Sequence, residues 1–238
     1  AVQEICNLEY AAIFHEQGLG KTKIAIDLML YWFERKEVDT VIFFVKRSLI
    51  KNWEIEFNTH THLKPKILTQ NKKSNYYVFN SPARVILCNY EVAKTEIDRL
   101  KLFLKTRPVA AILDESVKIK NPSSSLTKSF FEIAPLFKKR IIMTGTPIAN
   151  RPFDIWSQIW FLDFGASLGN NFSRFKSGHD LSNKVYDRDD MKIVFENNLS
   201  ELYNKISHFT VREIKKSGII KLPQKVYNNI KTEWEQYQ

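Results

Sequence analysis

Short, unbroken apolar runs recur along this chain, separated by longer segments in which polar and apolar residues are mixed. The runs lie at 11–14, 41–45, 85–88 and 109–113, and a fifth, at 140–143, is apolar after Arg140. They are rich in β-branched and aromatic residues, and such runs are typical of strands buried on both faces of a parallel sheet. The pattern therefore predicts at least five buried, mostly parallel strands.

The mixed segments have apolar residues at helical spacing, as in 21–35, where Ile24, Ala25, Leu28 and Trp32 share a face. Residues 1–10 are interpreted as the end of a helix, and further helices are predicted at 21–35, 49–57, 93–105, 124–134, 151–162 and 190–206. Residues 60–80 are polar and predict a loop with one short strand, Lys66–Leu68. The fold class is therefore α/β, a three-layer α/β/α sandwich. The alternation stops near residue 165, so 163–238 are interpreted as a small helical appendage and linker.

The first apolar run leads into a turn with two glycines and then into a helix that begins Lys21-Thr22. Strand, glycine turn and helix N-terminus in this order form a phosphate-binding loop, made here by Gln17, Gly18, Leu19, Gly20, Lys21 and Thr22. We expect Lys21 to reach the β- and γ-phosphates and the Thr22 hydroxyl to bind Mg²⁺. The first glycine of the general pattern falls on His15, so an ordinary strand–turn–helix is the alternative.

Two further strands end in residues that suit the same chemistry. The run 109–113 ends in Asp114 and Glu115, and we expect Asp114 to hold Mg²⁺ through water and Glu115 to activate the attacking water. The run 140–143 ends in Thr144-Gly145-Thr146, hydroxyl residues that can report the presence of a γ-phosphate. The alternatives are a helix-capping acid pair and a simple tight turn. The two acids and the loop together predict a nucleoside triphosphate site.

The charge balance favours a polyanionic partner. The chain has 36 Lys and Arg against 26 Asp and Glu, a formal net charge of +10, which favours nucleic acid before membrane. A solvated lysine surface from an AT-rich genome remains an alternative. The sequence has no run long enough to span a membrane. Cys6 and Cys88 have no metal-ligand spacing and are expected to be free, buried thiols in a reducing compartment.

Five motifs in order resemble those of the Swi/Snf-type double-stranded-DNA translocase ATPases of helicase superfamily two. The first is His-Glu-Gln-Gly-Leu-Gly-Lys-Thr at 15–22, and the second is the strand in 41–57 followed by Leu49, Asn52-Trp53 and Glu56-Phe57. The third is Asn89-Tyr90-Glu91, and the fourth is Asp114-Glu115 followed by Lys118-Ile119-Lys120-Asn121. The fifth is Thr144-Gly145-Thr146-Pro147-Ile148-Ala149-Asn150 with the helix that follows it. The tail loosely matches as well, at Arg212, Lys215, Leu222, Pro223 and Lys225. The resemblance covers nearly the whole chain.

This resemblance implies a RecA-like first lobe at 1–162 and, at 163–238, an appendage and linker toward a second lobe. It implies ATP and Mg²⁺ as cofactors, double-stranded DNA as partner, and a second RecA-like lobe in the same parent chain. It also implies that the state of the bound nucleotide is coupled to DNA binding through Thr144, Gly145 and Thr146. The candidate contacts to the DNA backbone are Lys46, Arg47, Asn89, Tyr90, Lys118 and Lys120.

Three positions depart from the family pattern. His15 replaces an Asp, Val117 replaces the His of the DEAH box, and Glu213 replaces a second Arg. The change at Val117 puts the usual coupling between nucleotide state and the Thr144 motif in doubt. The arginine finger of the second lobe is absent from this sequence, so the lobe alone is expected to be nearly inactive as an ATPase, while the full-length parent is a DNA-dependent ATPase.

Two alternative functions remain open from the sequence. One is the motor lobe of a restriction enzyme or of a phage or viral helicase, which would share these motifs. The other is a catalytically silent DNA-binding scaffold, which the changes at His15 and Val117 allow. In each case the protein is expected to be intracellular. It would be cytoplasmic if the source is a prokaryote or phage, which the compact chain favours, and nuclear if the source is a eukaryote.

Overall fold

The computed structural model describes residues 1–148, 151–180 and 189–215, and for 189–195 it describes the backbone only. Ala149 and Asn150 of the third motif therefore lie outside the described residues. The same holds for the basic and proline-containing tail from Lys216 onward, which includes Lys221, Leu222, Pro223 and Lys225.

Seven strands form one sheet in the order β3-β4-β2-β5-β6-β1-β7, and every neighbouring pair is parallel. The strands are β1 (Tyr10–Ile13), β2 (Thr40–Val45), β3 (Lys66–Leu68), β4 (Val85–Asn89), β5 (Val109–Asp114), β6 (Lys139–Met143) and β7 (Thr210–Val211). The five apolar runs of the sequence are thus confirmed as buried parallel strands, because helices cover both faces and leave no polar side.

Ten helices are found among the described residues. They are α1 (Val2–Ile5), α2 (Lys21–Glu34), α3 (Ile50–His60), α4 (Lys72–Phe79), α5 (Tyr90–Thr95), α6 (Ile97–Thr106), α7 (Ser125–Ile133), α8 (Trp156–Asp163), α9 (Phe172–His179) and α10 (Asp189–Ile206). None of these helices is long and apolar enough to cross a membrane.

Two apolar layers fill the space between the sheet and the helices. Successive residues of β2 point to opposite faces, so Phe43 packs on Trp53 of α3, with ring centroids 4.9 Å apart, and Phe44 packs on Phe130 of α7, at 5.0 Å. Trp156 is buried in the α7 layer.

The prediction of an irregular 60–80 segment is wrong for 72–79, which form α4. The apolar pattern does not predict this helix, because the residues that stabilise it are polar. The Asn71 side chain accepts hydrogen bonds from the amides of Lys73 and Ser74 and so caps the helix N-terminus. Fully buried Asn75 then fixes the helix by donating to the Thr69 carbonyl and to the Glu96 carboxylate. The single helix predicted at 93–105 is likewise two helices, α5 and α6, with Glu96 between them.

The interpretation of 163–238 as a small helical appendage and linker did not anticipate a strand at Thr210–Val211. These two residues form β7, which pairs in parallel with β1 through Ala12↔Thr210 and Ile13↔Val211. Phe209, immediately before β7, is buried in the same core as the α7 layer. The boundary between 1–162 and 163–238 stays a prediction.

Both cysteines are buried and free, as the sequence predicts. Burial raises the pKa of the Cys88 thiol, so this side chain acts as a small apolar core residue.

Candidate nucleotide and nucleic-acid site

The predicted site residues collect at the carboxyl edge of the sheet. The phosphate-binding loop follows β1, the two acids end or follow β5, and Thr144 follows β6; these three strands are neighbours in the order β5-β6-β1. Ligands of open α/β sheets bind beyond the carboxyl ends of the strands. The sheet order therefore brings together three segments that lie far apart in the sequence.

The loop between β1 and α2 is shaped by its glycines. Gly18 and Gly20 have φ angles of +84° and +72°, a left-handed conformation that costs a side-chain-bearing residue energy. Gly20 is the residue that precedes α2, whose first turn contains no acidic residue. The unpaired amides of this helix N-terminus and its dipole are thus available to an anion.

Lys21 turns back onto the loop that precedes it. Its Nζ donates to the carbonyl oxygens of His15, at 2.9 Å, and Glu16, at 3.2 Å. Burial lowers the pKa of Lys21, and the charges of Glu115 and Asp114 act in the opposite direction. The ammonium is thus partly desolvated and held by neutral carbonyls, an arrangement from which it can turn to a phosphate.

Asp114 is buried at the end of β5 and is held by an aromatic side chain. Trp53 Nε1 donates to Asp114 Oδ2 at 2.9 Å. Burial raises the pKa of Asp114, the Trp53 hydrogen bond and Lys21 lower it, and Glu115 adds to the rise. The Asn-Trp signature of α3 therefore fixes the orientation of an acid that lies on another element, a contact that sequence spacing does not predict.

Glu115 and Thr144 are joined side chain to side chain. Thr144 Oγ1 donates to Glu115 Oε2 at 3.2 Å and also accepts from the Thr146 amide at 3.2 Å. Glu115 itself has a left-handed backbone, with φ of +53° and ψ of +54°. Such a conformation is uncommon for a residue with a side chain and clusters at functional sites. The second acid is therefore linked directly to the hydroxyl motif.

Gly145 brings that motif against the phosphate-binding loop. A Cβ at this position would lie 3.3 Å from the Gln17 amide nitrogen and 3.5 Å from the His15 carbonyl oxygen. Contacts this close leave no room for a side chain without a shift of the loop backbone. Gly145 therefore packs directly against the backbone of the phosphate-binding loop.

A buried polar bridge connects the acids to the Thr144 motif at the place where the DEAH-box His is replaced by Val117. Ser116 Oγ donates to Gln158 Oε1 at 2.6 Å, and Gln158 Nε2 donates to the Pro147 carbonyl at 2.8 Å. Both side chains are fully buried. Residue spacing does not predict this connection, because Gln158 lies among the mostly apolar residues of α8.

A basic cleft of about 770 Å³ lies beside the nucleotide site. Its lining includes Lys46, Arg47, Lys51, Asn89 and Lys118, together with one acid, Glu91. These residues lie at or after the carboxyl ends of β4, β2 and β5, which are neighbours in the sheet, with Lys51 in α3 and Glu91 in α5. Four of the six predicted DNA contacts thus share one surface, on the same edge of the sheet as the two acids that end or follow β5.

The other two predicted DNA contacts are placed differently. Tyr90 is fully buried, and its hydroxyl donates to the Asp114 carbonyl at 2.7 Å, so the expectation that it touches a DNA phosphate is wrong for this conformation. Lys120 does not line the basic cleft; its Nζ pairs with Asp154 Oδ2 at 3.1 Å. Asn89 lines the cleft, yet its side-chain oxygen already caps α5 by accepting from the Val92 amide.

Residues 211–215, which we call the exit segment, run along the phosphate-binding loop. The Phe14 amide donates to the Val211 carbonyl at 2.8 Å, and the Glu16 amide donates to the Glu213 carbonyl at 2.9 Å. Parallel pairing therefore continues past β1 and β7 into the loop itself. Residue spacing does not predict this contact, and only the match of Arg212 and Lys215 to the family's tail motif points to the segment.

The family model that matches this chain is the SNF2-related domain, and the match covers residues 6–238. The chain belongs to the SNF2-related domain family. Among curated proteins, this SNF2-related domain is 29% identical over 221 residues to an uncharacterized ATP-dependent helicase of Mycoplasma genitalium, covering 92% of this chain and 20% of that protein. It is 27% identical over 230 residues to the chromatin-remodeling ATPase INO80 of Lodderomyces elongisporus, covering 89% of this chain and 14% of the relative.

Solved structures give the same assignment. The SNF2-related domain superimposes on the Sulfolobus solfataricus SWI2/SNF2 ATPase core in complex with dsDNA with a TM-score of 0.70 and 28% identity, covering 90% of this chain and 42% of the other. The Sulfolobus solfataricus SWI2/SNF2 ATPase core domain gives a TM-score of 0.66 at 27% identity, with 93% and 44% coverage. The chain thus spans less than half of these cores and about a fifth or less of the curated relatives named here.

Asp114→Asn is expected to raise the free energy of unfolding at pH 7. Because burial raises the pKa of Asp114, its ionised form destabilises the folded state above that pKa, and asparagine removes the charge while it can still accept from Trp53. The gain should vanish as the pH falls below the ordinary pKa of an aspartate, about 3.9. Urea unfolding at pH 7 and pH 3 measures both.

The matched control is Asp98→Asn, which removes a carboxylate that is 92% exposed on α6 and should change stability little. A lower stability of Asp114→Asn at pH 7 would contradict the prediction. It would mean that attraction to Lys21 outweighs the burial of the charge.

Proposed function

We propose that this SNF2-related domain is the ATP-binding first lobe of a two-lobed, ATP-dependent translocase on double-stranded DNA. The observation that carries the proposal is the convergence of Lys21, Asp114, Glu115 and Thr144 at one edge of the sheet, with the basic cleft beside them. The ATP-dependent relatives and the dsDNA-bound structural neighbour support it.

The residues at this edge suit a nucleotide that carries Mg²⁺. Thr22 in the first turn of α2 would provide a hydroxyl, and Asp114, whose Oδ2 accepts from Trp53, would provide a carboxylate. Both are hard oxygen ligands of the kind that Mg²⁺ takes together with phosphate oxygens. The metal would neutralise the charge that develops on the phosphates. Glu115, oriented by Thr144, would accept the proton of the attacking water.

A second lobe follows from the same chemistry. The family resemblance implies an arginine finger for the transferring phosphoryl group on the second lobe, and such a finger accelerates related reactions by about 10³–10⁵-fold. We therefore expect this chain alone to bind ATP and to hydrolyse it very slowly, and a longer protein with the second lobe to show DNA-stimulated turnover. Intact Lys21, Thr22, Asp114 and Glu115 argue against a silent scaffold.

The basic cleft is expected to bind duplex DNA through its phosphates, without reading sequence. Each phosphate contact contributes about −0.9 to the slope of log affinity against log salt concentration. Lys46→Ala and Lys118→Ala should therefore each weaken binding at low salt and reduce that slope by about 1. Fluorescence anisotropy with two labelled duplexes of unrelated sequence, titrated between low and moderate salt, measures affinity, slope and sequence independence.

Lys105→Ala serves as the matched control for the cleft. Lys105 is exposed in the last turn of α6, just before β5 begins, and so lies at the opposite edge of the sheet. It should leave the slope unchanged. If Lys46→Ala and Lys118→Ala bind duplex with the same salt dependence as the unmodified chain, the cleft is not the DNA surface and the DNA half of the proposal fails.

A further inference from the structure

The side chain of Gln158 is held by three hydrogen bonds that reach three different segments. Its Oε1 accepts from Ser116 Oγ at 2.6 Å, and its Nε2 donates to the Pro147 carbonyl at 2.8 Å. The same nitrogen donates to the Asp154 carbonyl at 3.0 Å, in the turn that leads into α8. A flipped amide would set its oxygen against two carbonyl oxygens, so these partners allow one orientation of the side chain.

This bridge lies in the interior of the protein, where its bonds cannot be exchanged for bonds to solvent. Ser116 and Gln158 are both fully buried. Loss of one partner would leave the other unsatisfied, at a cost of about 1–3 kcal/mol, whereas an apolar pair of the same shape carries no such requirement. A buried polar network whose members are all satisfied fixes one arrangement of the elements that it joins. The bridge therefore specifies how Ser116 and Pro147 are placed relative to each other.

The residue that precedes Ser116 depends on such a constraint. Glu115 has a left-handed backbone, and a conformation of this kind persists only where the surrounding structure holds it. The Glu115 carboxylate is held by Thr144 Oγ1 at 3.2 Å, and the next residue along the chain is held by Gln158. Because Gln158 also binds Pro147, three residues after Thr144, one side chain is attached to both segments that form the Glu115–Thr144 contact.

The bridge occupies the place of a residue that the family resemblance leads us to expect. Val117 stands where the DEAH box has its His, and an isopropyl group makes no hydrogen bond. Ser116, immediately before it, supplies a hydroxyl instead, and Gln158 carries the connection on to Pro147. A polar link between the acids and the Thr144 motif is thus present in this chain by another route.

We propose that Gln158 is a positioning residue for ATP hydrolysis, which takes the place of the missing DEAH-box His. Through Ser116 and Pro147 it holds Glu115 and Thr144 in the arrangement in which the carboxylate accepts the proton of the attacking water. The inference rests on the proposed function and adds a residue that does not touch the reacting atoms. Gln158 acts on the chemical step rather than on nucleotide affinity, because its hydrogen-bond partners belong to the acid segment, the Thr144 motif and its own helix turn, not to the phosphate-binding loop.

The test replaces both ends of the bridge by apolar side chains. The double variant Ser116→Ala/Gln158→Met leaves neither a hydroxyl nor an amide unpaired, so it should be more stable than either single variant. In the two-lobed protein with saturating duplex DNA, its kcat is expected to fall about tenfold, or about 1.4 kcal/mol in the barrier, with unchanged affinity for ATP. Urea unfolding, steady-state hydrolysis and calorimetric titration with Mg–ATP measure the three quantities. A purely structural bridge would let kcat recover together with stability.

Thr40→Val is the matched control for the loss of a buried hydrogen bond. Thr40 is fully buried at the amino end of β2, on the edge of the sheet opposite the site, and its Oγ1 donates to the Ala83 carbonyl at 2.9 Å. The substitution keeps the shape of the side chain and should lower stability without changing kcat. Ser116→Ala alone, the smallest change to the bridge, should show the same fall in kcat and replaces the double variant if that chain does not fold.

The outcomes separate this inference from the proposed function. If a folded bridge variant binds ATP normally and keeps full kcat, or loses ATP affinity with kcat unchanged, the inference is overturned and the proposed function stands. An equal fall in kcat for Thr40→Val would also overturn it, because any lost buried hydrogen bond would then slow turnover. If the unmodified two-lobed protein does not hydrolyse ATP, or its Lys21→Ala variant hydrolyses ATP as fast, both fail.

Discussion

Lys21→Ala is expected to abolish ATP binding by this chain at micromolar to low-millimolar nucleotide. The substitution removes the cation that would face the β- and γ-phosphates from a partly desolvated position. Truncating one partner of a desolvated, hydrogen-bonded charge pair costs about 2–5 kcal/mol, so the affinity should fall by about 30-fold to more than 1,000-fold. Calorimetric titration with Mg–ATP measures the loss directly.

Lys23→Ala is the matched control, because Lys23 lies in the same turn of α2 but is exposed and pairs with Asp27. Exposed pairs of this kind contribute at most about 1 kcal/mol, so both fold and ATP affinity should be kept. Circular dichroism verifies that each variant is folded. If a folded Lys21→Ala chain binds ATP as tightly as the unmodified chain, the result contradicts the assignment of the phosphate-binding loop.

Glu115→Gln should keep ATP binding and lose turnover in the two-lobed protein. Glutamine has nearly the same shape and can still accept from Thr144 Oγ1, but it cannot accept the proton of the attacking water. A positioned general base contributes typically about 10²–10⁴-fold, and kcat is expected to fall by this factor while the affinity for ATP changes little. Steady-state hydrolysis with saturating duplex DNA, combined with ATP titration, separates the two quantities.

The control for this experiment is Glu34→Gln, which removes an exposed carboxylate from the last turn of α2. Because α2 begins at the phosphate-binding loop and ends on the far edge of the sheet, this change should leave both kcat and affinity intact. Normal turnover by Glu115→Gln would show that another group accepts the proton, and the role assigned to the second acid would be abandoned.

The sequence predicts the parts of this fold that depend on local apolar patterns. Four unbroken apolar runs correspond to buried strands because a strand covered on both faces has no polar side to interrupt the pattern. The fifth strand, β6, is apolar only after Lys139 and Arg140, whose charges are buried with partners on other segments. The fold class was predictable from the same runs, and the strand, glycine turn and helix around 17–22 were predictable because they are consecutive in the sequence. The helix α4 was missed because Asn71 and Asn75, typical loop residues in isolation, have polar partners that lie on other segments.

The site shows the corresponding limit for contacts between distant segments. Tyr90 belongs to a recognisable motif, yet only the packing of α5 under β5 shows that its hydroxyl faces the Asp114 carbonyl rather than a ligand. The bridge from Ser116 through Gln158 to Pro147 joins three elements, and no spacing rule connects them. Motifs thus identify residue types that suit the chemistry, while the fold decides which of these side chains are accessible.

The position of β1 within the sheet has a consequence for how the molecule folds during synthesis. Its partners among the described strands are β6, at 139–143, and β7, at 210–211. These are among the most sequence-distant pairings in the fold, and such contacts form slowly because the intervening chain must first be ordered. The half of the sheet made of β2, β4 and β5 can assemble while the ribosome is still making the remainder. The nucleotide loop, although encoded near the start, acquires its full set of neighbours only when residue 215 has emerged.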